Sequence, residues 1–310
     1  MRLPLLGLAA CVFSGILGAA DPQLMSLAMP DAKVLAGINI QQAKASPFGQ
    51  YLLSRMQPGG FEELTSATGF DPRQHLTEVL FASTGQPGTH AGLAIIRGSF
   101  DVTRILQAAQ DKGQTPELYQ GVQILNNGHN TQSLAFLDGT LAVAGDAVSV
   151  KAAIDRRMAP ASLDPVLVSK ANALSGVQSA WFVSLAPGLM RPPSGTAGPA
   201  PANVLQKIQQ ASGGIQFGSN VQLSAEAVSS TSQDATALAD VIRFFASMAQ
   251  YKSQQAGKAA DAAALLQNLD VRTSANVTTL SLAIPEAQAE QLIQGAHMEV
   301  GRPHRVRPRR

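Results

Sequence analysis

Residues able to do chemistry are few and scattered in this chain of 310 residues. Its five histidines, His75, His90, His129, His297 and His304, form no HExxH or HxH pair, the spacings by which one helix or strand delivers two imidazoles to one metal ion. His90 and His129 adjoin expected hairpin turns and His75 precedes a strand, so two of them can meet at one end of a sheet; taken separately, each is a solvated loop residue. No serine lies in a GxSxG turn or three residues before a lysine, and no glycine-rich loop has the GxxxxGK[ST] or GxGxxG spacing that cradles phosphate. Two carboxylate pairs resemble a glycosidase acid and base, Glu62 with Glu63 and Asp138 with Asp146. Each has a structural explanation: Glu62 and Glu63 fall in the first turn of a helix, where negative charge complements the dipole, Asp138 in a turn, and Asp146 at a helix cap. The sequence nominates no catalytic, cofactor-binding or metal-ligating residue. A hydrolase with a site under the loop Arg191 to Ala202 is the enzymatic alternative; that loop also reads as a plain connector.

Cysteine narrows the chemistry further, because Cys11 is the only one. It lies within a leader built like an export signal: Arg2, an apolar run from Leu3 to Leu17, and small residues Gly18, Ala19 and Ala20 before Asp21. Cleavage after Ala20 leaves a body without a thiol, and hence without a disulfide, a cysteine nucleophile or a thiolate metal site. Leu8-Ala9-Ala10-Cys11 also fits the short pattern after which lipoproteins are cut and lipidated at the cysteine, which would anchor the protein at Cys11 instead. Either way the chain is expected outside the cytosol, periplasmic or secreted.

Charge is unevenly spread. Of the 23 basic residues, six lie in the leader and tail (Arg2, Arg302, Arg305, Arg307, Arg309 and Arg310), so 17 face 21 acidic residues in a body of net −4. That balance argues against specific nucleic-acid binding by the body, which would need a basic stripe with interleaved aromatics. The five tail arginines, on a Pro-rich segment expected to be disordered, suit an anionic envelope component.

The elements that must position any site follow from periodicity and caps. Val34 to Ile40 reads as a strand; Ser46-Pro47 opens a helix to about Met56, and Phe61 to Thr68 a second. Glu78 to Thr84 and Gly92 to Gly98 form a hairpin. Val102, Ile105, Leu106 and Ala109 mark a helix capped by Ser99 or Asp101. Val122 to Leu125, Ser133 to Leu137 and Thr140 to Ala144 are strands joined at Asn127-Gly128 and Asp138-Gly139, dipeptides suited to the positive φ of tight turns. Asp146 then caps a helix with Val150, Ile154 and Met158 on one side.

The second half repeats this order: strand Trp181 to Leu185, helix Asn203 to Gln210, strands Ile215 to Phe217 and Val221 to Val228, helix Ala235 to Ala249, strand material Val271 to Ile284, and a last helix from Pro285. Tyr251 to Asn268 reads as a helical extension. The fold class is therefore α+β, two tandem related modules, each an antiparallel sheet with helices on one face: a leader over 1–20, modules over 21–160 and 161–299, and the tail 300–310. Aromatics at 5% and charges at 14% leave stability to small aliphatic contacts.

The leader, the segment Met29-Pro30-Asp31-Ala32 running into strand Val34 to Ile40, and Asp138-Gly139 leading to Gly145-Asp146 and the Val150/Ile154 helix together resemble a group of uncharacterised secreted bacterial proteins built of duplicated α+β modules. That resemblance implies an envelope or secreted location and carries over no site residue. The function expected is a non-catalytic binding or scaffold module of the envelope, presenting a sheet face or cleft to a partner.

Overall fold

The computed structural model describes residues 20–55, 61–86, 92–127, 132–186, 202–256, 266, 268–291 and 293. It is an α+β protein built on one antiparallel sheet of twelve strands, ordered β11-β12-β10-β9-β8-β1-β2-β3-β7-β6-β5-β4. Strands β1 (Val34–Asn39), β2 (Leu76–Ser83), β3 (Gly92–Gly98), β4 (Glu117–Tyr119), β5 (Val122–Asn127), β6 (Gln132–Phe136) and β7 (Leu141–Asp146) form one half. The other half holds β8 (Ala180–Ser184), β9 (Ile208–Gln216), β10 (Asn220–Ser229), β11 (Asp270–Ser274) and β12 (Val277–Pro285). The seam is β1 against β8, so the sheets expected of the two modules are continuous. Outward from it the strands run β1-β2-β3-β7-β6 on one side and β8-β9-β10-β12-β11 on the other, the same order of first, second, third, last and last but one; β5 and β4 extend the first half only.

Helices cover both faces, where periodicity alone led to one. On β3, Leu93 and Ile95 belong to one apolar cluster and Ile96 to another, because successive side chains point to opposite sides. The first face receives α1 (Pro22–Leu27), α7 (Ala147–Met158) and α8 (Pro165–Ser175), and we call it the α7 face. The opposite face carries α6 (Val102–Asp111), whose Ile105 packs with Phe100 and Ala142, and α10 (Ser232–Ala256), whose Leu238 packs with Ile208 and Ala211. Also on this α10 face lies α3 (Pro47–Arg55), whose Phe48 meets Val221 and Ile284. Short helices α2 (Ile40–Ala45), α4 (Phe61–Thr68), α5 (Pro72–His75) and α9 (Ala202–Leu205) fill the connections, and residues 286–291 form a final turn of helix, α11.

Caps explain most helix starts. Asp21, Asp101, Asp146 and Asp164 each accept backbone N–H groups of the following turn, and Ser46 Oγ accepts from Gly49 N at 2.9 Å. Pro22 opens α1, whose Leu24 and Leu27 are fully buried. Asn203 to Gln210 was expected to be helical; the helix stops at Leu205 and β9 begins at Ile208, since Ile208 and Ala211 enter the α10-face core. The strand material Val271 to Ile284 is a hairpin, folded at Ala275, which has φ 50°. Asp138-Gly139 turns without positive φ: the Asp138 carboxylate accepts from Thr140 N and its hydroxyl, both at 2.7 Å, an Asx-type turn. A tight turn with positive φ stands instead at Gln120-Gly121, joining β5 to the unexpected strand β4. Met158, placed by spacing with Val150 and Ile154, is 82% exposed because α7 runs past its support. The core crosses residue 160: Leu167, Ala171, Trp181 and Val183 share one cluster with Leu35, Leu80 and Ile95.

Candidate functional site

Among the described residues two stretches of the sheet have no helix over them, one on each face. The first follows from the register of the α7 face. Along one row the side chains are Ile124, Ala135, Val143, Ile95, Leu80, Gly37, Trp181, Gly214, Ser224, Ser281 and Asp270. The row changes character past Trp181, from aliphatic residues sealed under α1, α7 and α8 to small and polar ones. At the change two glycines let side chains lie flat on the sheet: a Cβ at Gly37 would collide with the Trp181 indole, and one at Gly214 would fall 2.7 Å from both Ala180 O and Gln178 Cγ.

Beyond that point lies a groove of about 430 Å³, floored by β9, β10, β12 and β11 and walled on one side by Leu174 at the end of α8. Ser212, Ser224, Thr279 and Ser281 put hydroxyls along it, with Glu226, Asp270 and Arg272 among them. Lys170 Nζ from α8 pairs with Glu226 Oε1 at 2.6 Å, and Arg272 Nη2 with Asp270 Oδ2 at 2.7 Å. Gln178 Nε2 donates to Ser224 Oγ at 3.2 Å, while its buried Oε1 has no partner.

The second stretch is apolar and central, on the α10 face. Ile38 of β1 and Phe81 of β2 point to this side beside Ala36 and Val79, and are 48% and 43% exposed. On one flank stands the Phe100 and Ile96 cluster; on the other, Phe182 joins the cluster under α10.

The structure explains the sequence candidates it describes. His75 Nδ1 accepts the Asp71 N–H at 2.9 Å and its ring stacks on Phe70, so it holds a turn together. His90, His129, His297 and His304 lie outside the described residues, and among the described residues no three His, Cys, Asp or Glu side chains gather as metal ligands. Glu62 and Glu63 occupy the first turn of α4, and Glu62 is exposed. Burial works against ionisation of Asp138, but the bonds from Thr140, with Arg157 nearby, outweigh it and hold its carboxyl below the ordinary range. Asp146 caps α7, accepting from Ser149 N and Oγ. Cys11, the five tail arginines Arg302, Arg305, Arg307, Arg309 and Arg310, and residues 191–201 of the Pro/Gly/Ala loop lie outside the described residues.

Sequence reasoning passed over Glu78, which lies across from Arg97 on the α7 face. Burial pushes its carboxyl above the ordinary range, the nearby Asp21 carboxylate adds to this, and Arg97 opposes it. Arg97 is taken up by Asp21 Oδ2 at 2.5 Å and Gln23 Oε1 at 3.0 Å, which fastens the start of α1 to the sheet.

No family model and no curated protein matches the chain. Its fold has solved counterparts. Crystal forms I and III of TP0453 are similar to it with TM-scores of 0.51 and 0.53, each at 8% identity, covering 87% and 89% of this chain and 96% and 99% of TP0453. Crystal form IV gives 0.52 at 9% identity. The likeness extends over nearly the whole of both chains and concerns the α+β architecture with its large antiparallel sheet.

Proposed function

We propose that this chain is an exported protein of the cell envelope that binds a partner without catalysis, through stretches of its sheet that the described helices leave free. The observation that carries the reading is the exposure of Ile38 and Phe81 on two central strands, where a folded sheet ordinarily buries its largest apolar side chains. An open apolar stretch ringed by packed clusters is the usual mark of a docking surface. Enzymatic sites instead gather polar groups in an enclosed pocket. Among the described residues no helix is long and apolar enough to cross a membrane, and export rests on the leader Met1 to Ala20.

The five tail arginines supply a second contact, to anionic lipid or polysaccharide. Retention on anionic vesicles that falls with added salt and disappears when residues 302–310 are deleted is the expected behaviour.

Two measurements test the main reading. Intact mass of the protein recovered from the envelope fraction of its native host should correspond to a chain starting at Asp21; a cytosolic product still carrying Met1 contradicts export, and a lipid-bearing Cys11 moves the protein to a membrane surface. Saturable uptake of the dye 1-anilinonaphthalene-8-sulfonate by the native state should be lost in an Ile38→Asp, Phe81→Asp variant. Unchanged uptake would remove the apolar docking surface.

A further inference from the structure

Ser212 is buried to 6% exposure and lines the groove on the α7 face, and among the described residues its hydroxyl makes no hydrogen bond. Among the described residues the hydroxyls of Thr279 and Ser281, in the same groove, make none either, and Ser224, which accepts from Gln178, retains its proton for donation. We propose that the groove binds a neutral, hydroxyl-rich ligand, a stretch of glycan. This deepens the reading of the chain as a binding module and names the ligand class of one of its two open stretches.

Charge decides against an ionic ligand. Lys170 is held by Glu226 and Arg272 by Asp270, so these charges offset one another and an incoming phosphate, carboxylate or ammonium meets no net opposite charge. A sugar hydroxyl needs none: it donates to the lone pairs that a paired carboxylate still offers and accepts from a serine or threonine. Four hydroxyls and two carboxylates spread over neighbouring strands match a ligand whose donors and acceptors are themselves spread over a ring.

The floor decides against an extended peptide. Strands β9, β10 and β12 are paired on both sides, so their backbone N–H and C=O groups are used within the sheet; only β11, at the sheet edge, can take an added strand, and that strand would extend the sheet beside the groove rather than fill it. Side chains alone do the recognising there. A volume of about 430 Å³ lies within the range of small-ligand sites and accommodates one or two sugar rings.

The test is calorimetric titration of protein recovered after expression of the full reading frame. Neutral probes are cellotriose and triacetylchitotriose; charged probes are inorganic phosphate, trigalacturonate and spermidine. At least one neutral trisaccharide should bind saturably, more tightly than any charged probe. Thr279→Val and Ser281→Ala, which remove hydroxyls without a partner among the described residues, should each weaken that binding roughly three- to tenfold at unchanged Tm. Saturable binding of neither trisaccharide, tighter binding of a charged probe, or affinity unaltered in both variants would overturn the proposal. Any of these, with native-state dye uptake that the Ile38→Asp, Phe81→Asp variant loses, leaves the broader reading standing, whereas uptake unchanged in that variant strikes the apolar docking surface alone.

Discussion

On the α7 face, equivalent positions in the two halves of one sheet are put to opposite uses. Counting outward from the seam, Leu80, Ile95 and Val143 stand where Gly214, Ser224 and Ser281 stand in the other half. The first three are fully buried under α1 and α7; the second three border an open groove or lie at its margin. Strand order is therefore indifferent to which face is sealed. What decides it, among the described residues, is the helix that follows the last strand: α7 returns over the α7 face in the first half, whereas in the second Ala289 of α11 packs with Val221 and Ile284 on the opposite face.

The sharpest way to break this contrast is to give the sealed half the groove's chemistry. Ile95→Ser removes a fully buried side chain and buries a hydroxyl in its place; we expect a loss of about 3–5 kcal/mol, read by denaturant unfolding. The reciprocal changes Thr279→Val and Ser281→Ala should stay within about 0.5 kcal/mol in the same measurement. Equal losses in the two halves would mean that both halves of the α7 face are sealed.

At the seam, Gly37→Ala places a methyl group against the Trp181 indole. Overpacking there should cost about 1–3 kcal/mol and shift the emission of the only tryptophan in the chain. A variant of unchanged stability would show that β1 and β8 can part without loss.

A smaller effect concerns Glu78. Its folded-state carboxyl titrates above the ordinary value of 4.5, so the fold binds a proton that the unfolded chain has already released, and stability falls as pH rises from about 4.5 through the folded value. Glu78→Gln removes that dependence: thermal melts should show a gain in Tm at pH 7 that vanishes at pH 4. A constant difference across the range would assign the effect to packing.

Much of this fold was legible. Apolar runs bounded by turn residues located β1, β2, β3, β5, β6, β7 and β10, and the caps Ser46, Ser99 or Asp101, and Asp146 marked their helices, because each rests on neighbours in sequence. Asp164-Pro165 carries the same cap and first-turn signature for α8, yet that helix was passed over, and with it the wall of the groove. Gln222, Ser224 and Glu226 alternate visibly with Val221, Leu223 and Ala225, so a polar side of β10 could be read; that no described helix covers it depends on which face α10 and α11 pack against, a long-range matter. The shift from helix to strand between Leu205 and Ile208 was equally hidden, since burial against α10 rather than local propensity sets it. Helices on both faces escape a periodicity reading too, because a strand apolar on both sides, such as β3, gives an unbroken run.

Thiol labelling reaches the central claim most directly. In a Cys11→Ser background, Val143→Cys and Ser281→Cys each provide a single thiol at matching positions of the sheet. The thiol at 281 should react with a maleimide at nearly the rate of a free peptide thiol, and the one at 143 only as fast as the protein unfolds, orders of magnitude more slowly. Comparable rates at the two positions under native conditions would contradict a sheet sealed on one half of its α7 face and open on the other.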